Sequence, residues 1–508
     1  MRVCLLNTPS LKKRPVSRSM AGGLGFDSSE AMILPPIDLA ILASRLRETG
    51  HQVDMIDADP LGYDVKDILN YLNGKTYDWI IATSSLPTLK NDSSFIASLR
   101  KICKVAVKTS IRDTEILKRA LNESNADIII HDECDLHIEQ ILEGISDKGI
   151  AFLRDGELLI IDAGPIKDMD KIPFAARDLL PNERYTYPLL GEGVTTLQTS
   201  RGCPFACSYY CPYPLVEGKV WRAQSAERVY AEIESIVNRL GIHKILFRDA
   251  TFTLNKERVH SICDLIIKNR LSVKWWCETR VDCLDTALLE KMWLSGCLGM
   301  NIGVETGDEA LMSLQAKKGL NLEKLRWLRN EAKRIGLKLH FLLSIGMPQE
   351  TKKSIIETYD LIQRFKPESL GITVITPYPG TPLYTEAVKN GWIESCNWED
   401  YGGHQVVMHT DNLSSDDITA AMDFLMKGYD LLKKQQIEGN EYIIAKKEEV
   451  YLSLLVWACD LYQIQRSSFI LYIKRYLLKI YSRIIERIPS SVKNRLKPLK
   501  AWIERTLL

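Results

Sequence analysis

The stretch Arg201-Gly202-Cys203-Pro204-Phe205-Ala206-Cys207-Ser208-Tyr209-Tyr210-Cys211-Pro212-Tyr213-Pro214 places three cysteines within nine residues. Three thiolates on one short loop suit a metal centre that leaves a coordination position open. A [4Fe–4S] cluster ordinarily takes one cysteine per iron, so three cysteines leave one iron for an outside ligand. A structural zinc site is the rival reading. It wants four closed ligands, and no fourth Cys or His stands close by in the sequence.

Outward from this loop, the chain alternates apolar runs with helical patterns. Candidate strands are Thr195–Thr199, Lys244–Phe247, Val273–Cys277, Met300–Val304, Leu339–Ile345 and Gly371–Ile375. Helical periodicity covers Ala226–Leu240, Lys256–Lys268, Thr286–Leu294 and Leu322–Ile335 between them. Six such units predict a partial (βα)6 TIM-type barrel, with active-site residues at the carboxyl ends of the strands. The distinctive residues fall there: Cys203 after the first strand, Arg248-Asp249 after the second, Glu278 after the third and Glu305 after the fourth.

The first 148 residues repeat the alternation in shorter units. Strand runs at Arg2–Leu6, Val53–Ile56, Trp79–Ala82, Val105–Val107 and Asp127–Ile130 alternate with helical patterns. That rhythm predicts an α/β fold with an N-terminal doubly wound, Rossmann-like parallel sheet binding ligands at its carboxyl edge. Residues 149–192 read as a linker with a hairpin turning at Asp155-Gly156-Glu157, 193–411 as the barrel, and 412–508 as a helical C-terminal region.

Composition limits what such a chain is. Of 508 residues 45% are apolar and 26% charged, with 66 Lys plus Arg against 65 Asp plus Glu. These values exclude collagen-like, mucin-like and wholly disordered chains. The near-zero net charge argues against a protein built to grip nucleic acid, so no specific nucleic-acid partner is expected. Twelve cysteines are too dilute for a secreted disulfide framework. No uncharged stretch reaches the roughly 18–20 residues of a membrane span, and the start does not read as an export signal. The expectation is a cytoplasmic protein. The final stretch, Gln463–Leu508, carries eleven basic residues against Glu486 and Glu504 and reads as a basic amphipathic helix. It is a candidate for peripheral contact with the inner face of a membrane, with a solvated cap on the barrel as the plain alternative.

The cysteine loop and its companions resemble the radical S-adenosylmethionine (radical SAM) superfamily. Its usual signature is C-x3-C-x2-C after the first strand of a partial barrel. Here Tyr209 and Tyr210 are both present and the spacing is C-x3-C-x3-C. The resemblance implies that Cys203, Cys207 and Cys211 hold a [4Fe–4S] cluster whose open iron binds S-adenosylmethionine. One electron from an external donor, such as a flavodoxin or ferredoxin, would then yield a 5′-deoxyadenosyl radical. Tyr210 resembles the aromatic beside the adenine, and Arg248 with Asp249 stands where the family handles the methionine end. Glu278 and Arg280 form an anion–cation pair suited to an amino acid, or else an internal salt bridge. Gly303 and Glu305, in Gly303-Val304-Glu305-Thr306-Gly307, resemble the family's ribose-binding element. Met347 and Pro379 lie in segments that resemble its later adenine contacts.

A doubly wound domain ahead of such a barrel resembles the class with an N-terminal cobalamin (B12)-binding domain. Ser84-Ser85-Leu86 matches the S-x-L element, in which a serine meets the corrinoid's nucleotide tail; Ser84 is otherwise a strand-end cap. Glu133 stands where the class often has Gly-Glu. The D-x-H-x-x-G element with its cobalt-binding histidine is missing, and Lys108-Thr109-Ser110 replaces the expected Gly-Gly pair. Cys134 and His137 are spaced like half a zinc site with no second half, and read as structural. The implied activity is methylation of an unactivated carbon of a small-molecule, lipid-like or other biosynthetic precursor. Radical cyclisation, rearrangement or oxidation, with or without cobalamin, is the alternative within the class. A non-catalytic metal-stabilised binding protein is the alternative outside it.

Overall fold

A computed structural model describes residues 1–10, 15–28, 32–314 and 320–438. The basic amphipathic segment Gln463–Leu508 lies outside the described residues. Residues Met1–Tyr429 form one compact unit.

The first sheet takes its parallel strands from runs of β-branched and apolar residues: β1 (Arg2–Asn7), β2 (Gln52–Asp57), β3 (Trp79–Thr83), β4 (Lys104–Lys108) and β5 (Ile128–Ile130). Side chains alternate across it. Cys4 and Leu6 enter one buried cluster with Ile80, Val105 and Val107, while Val3 and Leu5 enter another with Ile81 and Ala106. Both faces are therefore covered, as a parallel sheet requires. Helices α1 (Ile37–Glu48), α2 (Val65–Leu72), α3 (Leu89–Leu99) and α4 (Thr114–Ser124) supply the cover.

The hairpin expected in the linker is part of this sheet. Its strands, β6 (Ile150–Arg154) and β7 (Glu157–Ile161), turn at Asp155-Gly156, and β6 pairs antiparallel with β5 through Ile129–Ala151 and Ile130–Ile150. The strand order is β2-β1-β3-β4-β5-β6-β7, so the sheet runs past residue 148 to Ile161.

The second sheet is parallel and follows chain order: β8 (Val194–Leu197), β9 (Lys244–Phe247), β10 (Lys274–Thr279), β11 (Cys297–Glu305), β12 (Lys338–Ile345) and β13 (Ser369–Val374). Its helices begin where side-chain caps stand. Ser225, Asn255, Asp285 and Asn321 each accept a backbone N–H at the start of Ala226–Leu240, Lys256–Lys268, Thr286–Leu294 and Leu322–Ile335. A further helix, Lys352–Phe365, starts on a capping box between Thr351 and Ser354. The C-terminal region opens with the helix Ser415–Glu438. Among the described residues no helix is long and apolar enough to cross a membrane.

Between the sheets the linker packs both ways. Met169, Ile172, Tyr185 and Tyr187 join Ile37 and Ile41 of α1 and Leu246 and Trp276 of the barrel in one apolar cluster. Arg177 is fully buried, donating to Glu232 at 2.6 Å, to Thr195 Oγ1 at 3.1 Å and to the Thr196 carbonyl at 2.8 Å. Next to it, the Ala176 N–H donates to the Ala40 carbonyl of α1 at 2.9 Å.

Candidate functional site

The cysteine loop leaves β8 under tight control. Asp249, at the end of β9 and without solvent exposure, accepts from the Thr199 N–H at 2.6 Å, the Thr199 hydroxyl at 2.5 Å and the Ser200 N–H at 3.2 Å. Burial pushes its carboxyl up, and these donors and Arg258 pull against that. Expected at the methionine end, Asp249 has its oxygens on the start of the loop, which they pin. Gly202 follows at φ +86°, and a Cβ there would fall 2.2 Å from the Val220 carbonyl oxygen, so only glycine fits ahead of Cys203.

The extra residue of the spacing is absorbed by a helical turn. The N–H groups of Tyr210 and Cys211 both donate to the Cys207 carbonyl, at 3.2 and 2.9 Å. Four-residue spacing on such a turn brings side chains to one side. The thiols of Cys203 and Cys211 each hydrogen-bond to Cys207, and this sharing, together with burial, raises both. Iron would reverse that preference, because its charge favours the thiolate. The neighbouring Tyr209 donates to Glu386 at 2.6 Å and packs with Tyr210 against Met347, Ile375, Leu383 and Trp392.

Around this loop the structure brings several candidates together and pairs others differently. Glu278 and Arg280 are not partners. Arg248 donates to Glu278 at 2.5 Å and to the Tyr213 hydroxyl at 3.2 Å, while Arg280 forks onto Asp282 at 2.9 and 2.8 Å. The Arg280 guanidinium also lies 3.8 Å from the centre of the Phe205 ring, inside the cysteine loop, and its charge acts on Cys203 and Cys207. Glu305 ends β11 at a break in register after Gly303, with φ +68°, and accepts from Ser344 at 2.7 Å. A non-glycine residue there is strained, and such strain aims side chains at functional positions. The Tyr210 phenol is raised, chiefly by burial and next by Glu305 and the cysteines, which places Tyr210 among them.

Met347 shares Tyr210's apolar wall, and Pro379 is buried just before Gly380, whose Cβ position abuts Leu215 behind the cysteine loop. Sequence reasoning missed Glu350. It is fully buried, accepts from the Gly346 N–H at 2.6 Å, and burial pushes its carboxyl up to about 8. A lone glutamate in the polar run Gln349-Glu350-Thr351 carries no signal of that role.

Two bidentate ion pairs strap the loop to the first sheet: Arg201 to Asp135 at 2.9 and 2.8 Å, and Arg222 to Glu133 at 2.8 and 2.8 Å. Arg201 holds the Asp135 carboxyl down to about 2 against the pull of burial. Glu133 also accepts from the Ile166 N–H at 2.7 Å, so this candidate corrinoid contact is engaged in holding the lobes together. Leu86 likewise belongs to the core of the first sheet, beside Leu24. Ser84 is buried with its hydroxyl unpartnered, and its N–H donates to the Lys108 carbonyl. Cys134 is buried, and the His137 ring contacts the Lys148 carbonyl at 3.2 Å, in keeping with structural roles.

The carboxyl ends of both sheets meet at one cleft. It encloses about 140 Å³ and is lined from the first sheet by Lys108, Ser110 and His131, and from the barrel by Thr196, Tyr213 and Arg248.

Residues 197–362, from the end of β8 into the helix Lys352–Phe365, match the radical SAM superfamily. These residues of the barrel are a radical SAM domain. Members of this superfamily bind a [4Fe–4S] cluster and S-adenosylmethionine. The chain is 28% identical over 397 residues to an uncharacterized methyltransferase of Pyrococcus horikoshii, covering 76% of this chain and 85% of that one. It is 26% identical over 377 residues to the anaerobic magnesium-protoporphyrin IX monomethyl ester cyclase of Cereibacter sphaeroides, covering 69% of this chain and 60% of that protein. In fold it resembles the cobalamin-dependent S-adenosylmethionine radical enzyme OxsB, with a TM-score of 0.67 at 15% identity over 100% of this chain and 79% of that chain. It also resembles the radical S-adenosylmethionine methyltransferase TsrM of Kitasatospora setae, with a TM-score of 0.60 at 16% identity over 77% of this chain and 75% of that chain. The Rossmann-like sheet followed by a partial barrel is the fold of the cobalamin-dependent radical SAM class.

Proposed function

We propose that this chain is a cobalamin-dependent radical SAM enzyme that transfers a methyl group to an unactivated carbon of a small-molecule or biosynthetic precursor. The observation that carries the reading is the cleft shared by the two carboxyl rims, lined on its barrel side by Arg201 and Tyr213 from the two ends of the cysteine loop. The donor set fits the cluster: three thiols on one wound loop, two of them hydrogen-bonded to the third. The first sheet's rim fits a corrinoid by its buried unpartnered atoms, Ser84 Oγ and His131 Nε2. Gly22 and Gly23 line the cleft at positive φ, and a Cβ on Gly23 would fall 2.2 Å from Ser110 Oγ. Gly23 thus lets this segment pack closely on Ser110, where the expected glycine pair is missing from the sequence.

In this reading Cys203, Cys207 and Cys211 hold the cluster. Arg280, preset by Asp282 and Phe205, faces the carboxylate of S-adenosylmethionine, and Glu305 accepts from its ribose hydroxyls. Tyr210 and Met347 give the adenine an apolar wall and keep water from the loop. When bound, the cluster with S-adenosylmethionine supplies one-electron chemistry for hydrogen abstraction, and the corrinoid supplies the methyl group. The electron comes from an external donor. The relatives named as methyltransferases favour methyl transfer over cyclisation.

The test is anaerobic reconstitution with iron and sulfide, then reduction with S-adenosylmethionine in the presence and absence of hydroxocobalamin. Formation of 5′-deoxyadenosine and S-adenosylhomocysteine with retained corrinoid is the expected result. Deoxyadenosine with no retained corrinoid would reduce the first domain to a scaffold, and failure to hold iron and sulfide would end the enzymatic reading.

A further inference from the structure

The cleft contains a buried ring nitrogen with no partner, and the ring's neighbours fix its chemistry. His131 follows β5, is 3% exposed, and lines the cavity between the rims. Its main-chain N–H donates to the Gly149 carbonyl at 3.1 Å, which fixes the backbone at this residue. Arg112 Nη1 lies 3.0 Å from Nδ1, and Arg112 is itself anchored on Asp132 at 3.2 Å and on the Val216 carbonyl at 3.0 Å. A guanidinium only donates, so Nδ1 accepts and the neutral ring carries its hydrogen on Nε2. Burial first, and then the charge of Arg112, push the imidazole down and oppose a second proton.

The Nε2 atom is buried without a hydrogen-bond partner. A buried N–H left unpaired is unfavourable, and such atoms in native sites are matched by what binds there. Lys108 lines the same cavity, and its ammonium makes no ion pair or hydrogen bond among the described residues. The rim therefore offers donors and calls for an acceptor. Cobalt ligation would need a bare ring nitrogen, and His131 has none: one is taken by Arg112 and the other is protonated.

We propose that His131 is a corrinoid-binding residue that donates its Nε2–H to an acceptor oxygen of the ligand, and that it does not ligate cobalt. The inference rests on the corrinoid reading above. Two kinds of oxygen on a corrinoid fit, the carboxamides of the ring periphery and the phosphate of the nucleotide tail.

The experiment uses the full chain with its cluster reconstituted, as wild type, His131→Phe and His131→Gln. Binding of hydroxocobalamin and of dicyanocobinamide, which lacks the nucleotide tail, is measured by equilibrium dialysis, with iron content as the control for folding. His131→Phe is expected to weaken hydroxocobalamin binding about tenfold, whereas His131→Gln, which keeps a donor, stays within about threefold. An equal loss with cobinamide assigns the acceptor to a ring carboxamide, and a loss confined to cobalamin assigns it to the tail phosphate. Unchanged affinity in His131→Phe overturns the proposal. So does a nitrogen splitting in the electron paramagnetic resonance spectrum of bound, reduced cobinamide that disappears in His131→Phe, since cobinamide brings no nitrogen base of its own. A wild type that retains neither corrinoid overturns this inference together with the cobalamin reading, whereas retention by wild type with no effect of His131→Phe overturns the inference alone.

Discussion

Arg248 and Glu278 hold one another at 2.5 Å across the ends of the adjacent strands β9 and β10. Their side chains are 10% and 18% exposed, so each neutralises a charge the other could not leave buried alone. Replacing Glu278 by Ala strands a buried guanidinium, which typically costs about 3–5 kcal/mol. The thermal midpoint of the reconstituted protein should fall by several degrees. The double variant R248M/E278L should lose less than E278A alone; an equal or larger loss would mean that the pair is not a closed unit.

Asp282 is the residue that presets Arg280. The variant D282N should raise the dissociation constant for S-adenosylmethionine about tenfold, through loss of a bidentate charged pair. Iron content should stay at the wild-type level. R280M should weaken binding at least as much. Unchanged affinity in D282N would detach Arg280 from ligand positioning.

The part played by Asp249 separates loop anchoring from ligand contact. D249A should lower iron incorporation, because Thr199 and Ser200 lose their acceptor at the start of the loop. The clusters that do form should bind S-adenosylmethionine with wild-type affinity. A full complement of iron with weakened binding would restore Asp249 to the ligand site. The triple variant C203A/C207A/C211A gives the floor, with no visible iron–sulfur absorption.

Glu350 should leave a pH signature on stability. Its folded-state carboxyl is raised to about 8 from an ordinary value near 4.5. A raised group contributes stability that is fully present below its unfolded value and is lost as pH rises through the folded one. The wild type therefore loses this contribution between about pH 4.5 and 8. E350Q keeps an acceptor for the Gly346 N–H but cannot ionise. Its thermal midpoint relative to wild type should climb across that window and level off above it. A flat difference from pH 5 to 9 would show that Glu350 does not titrate there.

Much of this architecture was legible because its signals are local. Within Lys244–Phe247 the last three residues are all apolar, and Ala226–Leu240 and Thr286–Leu294 begin at visible caps, Ser225 and Asp285. The cysteines announce themselves by spacing. What was not legible is partnership at a distance. Arg280 sits two residues from Glu278 but just past the end of β10, at the start of a helical turn, and the two pair with separate neighbours, Asp282 and Arg248. The chemistry of a carboxylate alone says nothing of whether it will meet a ligand or, like Asp249, a backbone. The hairpin at Asp155-Gly156 was visible as a turn, but its addition to the first sheet depends on β5 offering an open edge. Helix Lys352–Phe365 went unmarked although Ile355, Leu361, Ile362 and Phe365 are buried along it.

The linker gives the molecule a mechanical character of its own. Ala176 grips the backbone of α1 while Arg177, one residue on, is driven into the barrel between Thr195 and Glu232. A connector nailed down on both sides at consecutive residues is a clamp and not a hinge. The lobes have no slack there with which to swing apart, so a ligand that spans both rims of the cleft must enter without their parting at this connector.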